Sequence, residues 1–372
     1  MAPNSRSFYR TTEFKVIAFA IVSTTICTYG TMELLIVPDP QDAADVERPC
    51  RSSLPANYTV PAAVLNANGF VELNRWGVLK RRRCRRTVIN LLLFHNEVDL
   101  LEVRLRELGN AVDHFVVLES TRNFRMHKRN LLLEPLLNTP RFQPFRDRLV
   151  YGYNADYPEF PEDADPRAVR MALHRIFMDE LMVTFTKSFP HVDDDAWILF
   201  TSADEIPSSS VVDFLSHHDG LPDVVAFGYA KSVYSFLMPH AQGLSTERAA
   251  CTWRCLRDDL ATSLDALRFA TMQAVAEPPW TAGTREHPAG WHCSWCLGPA
   301  GVVAKIASEP EAINRSVDAA LTARLMRTGR LYSGKLVASS EPEKSRFVLP
   351  AFVEKNPVNF KSILLSMSRD QA

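Results

Sequence analysis

The chain has almost no net charge. Its 42 lysines and arginines stand against 43 aspartates and glutamates, a formal −1 with histidine neutral. That removes the whole-molecule attraction for polyanions on which a nucleic-acid binder relies. Dense runs of one sign are also scarce, the exception being residues 80–86 (Lys-Arg-Arg-Arg-Cys-Arg-Arg). Such a run reads either as a nucleic-acid or processing motif or, more plainly, as a solvated linker. Charge is missing altogether from residues 16–32, with Arg6, Arg10 and Lys15 before them and Glu33, Asp39, Asp42, Asp45 and Glu47 after. Positive before and acidic after places the N-terminus in the cytosol and the remainder across a membrane. The uncharged run is at the short end for a bilayer span and suits a thin early-secretory membrane. No small-x-small site closes it convincingly, so we expect a cytosolic tail at 1–15 and an uncleaved anchor at 16–37. The alternative, a cleaved signal peptide, sends the body to the same lumenal side. The triplets Asn57-Tyr58-Thr59 and Asn314-Arg315-Ser316 are glycosylation sequons compatible with that side.

Residues 38–74 lack sustained periodicity, and the segment 38–85 is expected to be a stem holding the body away from the membrane. The body itself has ample core material, with 46% hydrophobic and 10% aromatic residues. Its pattern begins at 87–94 (Thr-Val-Ile-Asn-Leu-Leu-Leu-Phe), a buried strand. A helix with Leu100, Leu101, Val103, Leu105 and Leu108 on its apolar face follows, and Gly109-Asn110 stops it. Residues 114–118 (His-Phe-Val-Val-Leu) form the next strand. Strand, helix, strand is a βαβ unit, hence a parallel sheet in an α/β fold. Residues 149–153 are expected to be a third strand. Asp165 and Pro166 then open a helix whose core face is Val169, Leu173, Ile176, Phe177 and Leu181. Arg167, Arg170 and His174 share its other side, where they are either solvated charge or a basic face for phosphates. Residues 224–229 are a further strand, leading into Lys231-Ser232-Val233-Tyr234. Residues 335 to the end read as a C-terminal tail with a few apolar contacts and nothing that carries chemistry.

The most informative stretch is 195–207, Asp-Ala-Trp-Ile-Leu-Phe-Thr-Ser-Ala-Asp-Glu-Ile-Pro. Its apolar run is short enough for a fully buried strand. The adjacent carboxylates of Asp204 and Glu205 come directly after it, and a helix is expected from Ser208. Open α/β sheets hold their ligands at the carboxyl ends of strands. Acids there suit a hard divalent cation that neutralises a diphosphate, or they are simply a solvated turn near a helix start. His95, Asn96 and Glu119 are predicted at the same edge. The second unusual stretch is 288–305, which packs Trp291, His292, Cys293, Trp295 and Cys296 together. With Cys251 and Cys255, these cysteines have zinc-ribbon spacing. In an oxidising lumen disulfides are the commoner fate, and we expect disulfides there.

The heptapeptide Gly290-Trp291-His292-Cys293-Ser294-Trp295-Cys296, the turn Ala203-Asp204-Glu205-Ile206-Pro207 and Lys231-Ser232-Val233-Tyr234 resemble family 17 glycosyltransferases. Phe94-His95-Asn96-Glu97-Val98-Asp99-Leu100-Leu101, Arg327-Thr328-Gly329 and Lys355-Asn356 extend the similarity over roughly 87–360. The resemblance implies a GT-A-like, Rossmann-type α/β catalytic domain over 86–372, mostly parallel in its sheet. It also implies a single-pass type II Golgi membrane protein with its catalytic domain lumenal. The implied reaction is inverting transfer of GlcNAc from UDP-GlcNAc to a β-linked mannose of glycoprotein N-glycans, with a divalent metal, manganese by expectation. Asp204, helped by Glu205, would hold that metal. Donor contacts are expected from His95, Asn96, Glu97, Glu119, Arg170, Lys231, Trp291 and Trp295. Glu205 and His292 are the candidate general bases, and both tryptophans either stack on sugars or fill core. One departure stands out: the family usually has an aspartate two residues before the Asp204 position, where this chain has Ser202. That predicts weaker metal binding, or a catalytically degenerate, membrane-anchored glycan-binding relative.

Overall fold

The alternation of buried strands and amphipathic helices is realised in the computed structural model as one nine-stranded sheet with helices on both faces. The structure describes residues 58–65, 79–272, 280–308, 317–337 and 349–364. From β1 (Lys80–Arg81) the chain runs through β2 (Val88–Leu93), α1 (Val98–Glu107), β3 (His114–Ser120), β4 (Leu149–Asn154) and α2 (Pro166–Ser188) to β5 (Trp197–Ser202). Then follow β6 (Glu205–Pro207), α3 (Ser209–His217), β7 (His218–Asp219), β8 (Val224–Ser232) and β9 (Pro239–Thr252). Last come α4 (Leu264–Met272), β10 (Thr281–Ala282), β11 (Gly290–Cys293), α5 (Pro299–Ser308), α6 (Ala319–Thr328) and α7 (Ala351–Lys355).

The sheet order is β4-β3-β2-β5-β9-β8-β11-β6, with β10 also on β8. β2, β3, β4 and β5 run parallel, and their side chains alternate between two cores as the pleat requires. Val88 and Leu92 face α1 and α3, whereas Ile89 and Leu91 face α2 and α4. Burial on both faces is why these strands read as unbroken apolar runs. The helix start at Pro166 also follows the pattern, because the Asp165 carboxylate accepts the Arg167 N–H at 3.1 Å.

Beyond β5 the expected mostly parallel sheet becomes mixed. The connection from β8 to β9 is short, which permits only an antiparallel pair, and β9 runs antiparallel to β5 as well. Three other expectations are corrected. The basic run at 80–86 is no solvated linker. β1 pairs with β7, Arg82 bridges Asp195 (3.0 Å) and Asp219 (2.6 Å), and Arg85 holds Asp113 at 2.5 Å. Three of its cations, Arg82, Arg85 and Arg86, are matched to carboxylates distant in sequence. The C-terminal segment is not a loose tail either, since Val353, Phe360 and Ile363 are buried with Leu100 and Val103 of α1. Finally, Val64 and Leu79, within the stretch read as stem, are buried in the main core. Among the described residues no helix is long and apolar enough to cross a membrane. The expected anchor at 16–37 lies outside the described residues.

Candidate functional site

Parallel strands with the order β4-β3-β2-β5 have the first strand, β2, in their middle, and successive connections leave it in opposite directions. The loops after β2 and β5 therefore part from one another and open a crevice at their carboxyl ends. Leu93 is paired with Ser202 at that edge. The residues that come next, His95-Asn96-Glu97 on one side and Ala203-Asp204-Glu205 on the other, flank the crevice.

Glu97 and Asp204 meet there through a third group that sequence reading passed over. The ammonium of Lys305, on α5, lies 2.7 Å from Glu97 Oε1 and 2.8 Å from Asp204 Oδ2. Glu97 Oε2 in turn accepts the backbone N–H groups of Asn96 (2.9 Å) and His95 (3.3 Å). Burial opposes charge on Glu97, but the adjacent Lys305 ammonium outweighs it and holds the carboxyl below its ordinary range. Burial likewise disfavours the Lys305 ammonium, and the two carboxylates overcome it, raising its pKa. Both are ionised at neutral pH. The signal for Lys305 was in the sequence: it is the lone charge in 298–308, a segment otherwise apolar or small.

The acidic turn is held from beneath by Arg104 of α1. This side chain is fully buried and donates to Asn90 Oδ1 (2.8 Å), Ser202 O (2.7 Å), Glu205 O (2.5 Å) and the Thr201 hydroxyl. Burial pushes its pKa down to about 10, which still leaves it charged.

The helix after the turn forms as expected, with Val211, Val212, Phe214 and Leu215 buried. Between turn and helix, however, Glu205–Pro207 form strand β6, and this pairs with β11 from the Trp-His-Cys motif. The registers align Lys231, His292 and Glu205 across β8, β11 and β6. Asp204, Glu205 and His292 consequently bring one ligand-type atom each to within 4.8 Å of one another. Gly290 lets β11 approach so closely, since a Cβ there would sit 2.3 Å from Ile206 O. Trp291, one residue along, faces the opposite side and is buried with Leu100, Val103 and Ile206, which is the core-filling alternative. Trp295 packs against Tyr234 and Tyr332.

Of the remaining predicted residues, His95 and Asn96 border the crevice, whereas Glu119 and Arg170 do not reach it in the contacts they make. The His95 ring packs on Phe124 and Phe177, and Arg129 donates to its Nδ1 at 3.1 Å. Burial pushes its pKa down to about 4, so the ring is neutral with its proton on Nε2. Asn96 donates to Gly301 O at 3.4 Å, while its buried Oδ1 has no hydrogen-bond donor. Glu119 is fully buried, and its oxygens are taken by Arg129, Tyr151 and the Leu132 and Leu133 N–H groups. It anchors the loop after β3 rather than facing the crevice. Arg170 lies over Phe124, 5.8 Å from the ring centre. Beyond Glu119 a basic cleft of about 520 Å³ is lined by Thr121, Arg122, Lys128, Arg129, Asn130 and Ala155. Cys293 and Cys296 form a disulfide across the turn after β11. The disulfide expectation fails for Cys251 and Cys255, which are buried free thiols, and with Cys293 and Cys296 bonded to each other the four-cysteine zinc arrangement does not assemble.

A dication fits this donor set poorly while Lys305 is in place. It would share Asp204 Oδ2 with an ammonium 2.8 Å away, and Glu205 Oε2 already accepts the Ser202 N–H at 2.9 Å. Two unit positive charges 4 Å apart repel by about 4 kcal/mol in a partly screened site, and a dication doubles that.

The family model described as glycosyltransferase family 17 matches residues 10–262. A rat protein named beta-1,4-mannosyl-glycoprotein 4-beta-N-acetylglucosaminyltransferase is 28% identical over 312 residues, covering 78% of this chain and 56% of the relative. The mouse protein of that name matches equally well, and the human one is 31% identical over 241 residues, 61% of this chain and 44% of its own. The chain thus spans about half the length of the curated relatives it matches.

Proposed function

Because the chain belongs to glycosyltransferase family 17, we propose that it transfers GlcNAc from UDP-GlcNAc to a glycan hydroxyl, with inversion. The observation that carries this reading is the convergence of Glu97, Asp204 and Lys305 at the crevice between β2 and β5. Strand order and crevice support a GT-A-like nucleotide site, in which the donor lies across the carboxyl ends of β2 and β3. His95 and Asn96 border the nucleotide, the unmatched Asn96 Oδ1 taking a donor N–H. The diphosphate comes to rest beside Lys305.

On this reading the acceptor hydroxyl attacks the anomeric carbon from the face opposite departing UDP. Its proton passes to His292 or Glu205, which register brings side by side. By analogy with the relatives' printed name, the acceptor is a β-linked mannose of a glycoprotein N-glycan and the linkage β-1,4. Type II membrane orientation rests on the charge pattern around residues 16–32, and a Golgi location on the family resemblance alone. The manganese ion implied by the sequence resemblance would use Asp204, Glu205 and His292, and no step here is routed through it.

The test is transfer by the purified protein from UDP-GlcNAc to a biantennary N-glycan, with manganese supplied and products read by mass spectrometry. Asp204→Ala should lower turnover at least 100-fold with the fold intact. No product from the parent, or near-parent activity in the variant, would refute the assignment.

A further inference from the structure

The cluster around Asp204 contains its own cation. We propose that Lys305 is the fixed positive charge of the donor site, so that the protein binds a nucleoside diphosphate group without a divalent metal. This rests on the glycosyltransferase reading of the crevice.

Four observations support it. Lys305 lies between the two carboxylates that the sheet topology brings to the crevice, at 2.7 and 2.8 Å. Two of its three N–H donors are used on Glu97 and Asp204, which aim the third and hold the ammonium still. Ser202, two residues before Asp204, contributes a neutral hydroxyl, and the other carboxylate of the turn, Glu205, already accepts the Ser202 N–H at 2.9 Å, so the turn offers a dication little to compete with Lys305. Finally, further positive charge is nearby at Arg129 and in the cleft formed with Arg122 and Lys128. A diphosphate along this edge therefore meets Lys305 first, with Arg122 and Lys128 in the adjoining cleft and Arg129 already held by Glu119. Lysine is a compact point charge well suited to phosphate oxygens. It would stabilise negative charge on departing UDP, and it is already in position when the donor arrives.

The experiment uses the full chain and UDP as probe. Calorimetric titration with UDP is run in excess EDTA and again with manganese, and manganese binding without nucleotide is followed by electron paramagnetic resonance. We expect UDP affinities within about twofold of each other in the two buffers, and no stoichiometric manganese site. Lys305→Met should weaken UDP binding in EDTA at least tenfold, and Lys305→Arg should recover part of it. The comparison of buffers needs no variant, so a misfolded Lys305→Met protein leaves the proposal falsifiable. UDP binding or transfer that is lost in EDTA and restored by manganese overturns the proposal and leaves the transferase reading standing. Metal-independent UDP binding without transfer supports the proposal while refuting the reaction. No UDP binding in either buffer overturns both.

Discussion

Replacing Arg104 by methionine removes the charge under the acidic turn while nearly preserving volume, so cavity formation contributes little. The cost comes from the acceptors left behind. Asn90 Oδ1, Ser202 O, Glu205 O and the Thr201 hydroxyl all receive Arg104 donors, and the guanidinium is fully buried. Each buried acceptor that loses its partner costs roughly 1–3 kcal/mol. The four are neighbours, so their costs do not add; opening one buried charged network costs roughly 3–5 kcal/mol in total. Against a stability of about 5–15 kcal/mol that is a large fraction. At about 1.5 °C per kcal/mol for a chain of this size the melting point should fall by roughly 4–8 °C. Guanidinium denaturation followed by circular dichroism measures the loss. Arg104→Lys should recover only part of it, because one ammonium cannot reach four acceptors set around a planar fork. A methionine variant within about 1 kcal/mol of the parent would refute the claim that Arg104 organises the turn, since about 3 is the least this network predicts.

Further predictions follow from the same packing. Gly290→Ala should separate β11 from β6, costing about 1–3 kcal/mol by overpacking and lowering transfer; parent-like stability and activity would show that the strands can part harmlessly. Trp197→Phe leaves Leu215 O without the indole N–H that lies 2.8 Å away, and should cost about 1–3 kcal/mol in a denaturant melt. Stability should decline as pH falls from about 6.5 towards 5. Burial pushes His95 and His174 down to about 4 when folded, so only the unfolded chain takes up protons in that window. Each contributes up to about 1.4 kcal/mol per pH unit, and a stability profile flat from pH 7 to 5 would contradict the neutral, buried assignment.

Much of the parallel half was legible because its strands are buried on both faces and its helices have ordinary start and stop signals. The runs at 87–94 and 114–118, the Asp165-Pro166 start and the acidic turn all correspond to observed elements. What escaped notice depends on contacts distant in sequence. Nothing in Glu205-Ile206-Pro207 announces a strand, because its ladder partner among the described residues arrives with Gly290. Arg104 looks like an ordinary helix-surface arginine until its four acceptors are seen. The basic run at 80–86 was misread because its counter-charges, Asp113, Asp195 and Asp219, are far along the chain. Lys305 could have been noticed as the lone charge on an apolar helix, but its partners could not.

The pairing of β6 with β11 has a consequence for biosynthesis. Strand β6 emerges from the ribosome with its neighbouring β5 but must wait some eighty residues of chain, by the arithmetic of Ile206 and Trp291, for the strand that fixes it. Lys305 arrives later still. A nascent chain, or one ended prematurely after β9, can build the parallel strands and yet carries an unbraced pair of acids with no cation between them. The later segment thus acts as a completion check: the cation-bridged pocket exists only once synthesis has passed Lys305.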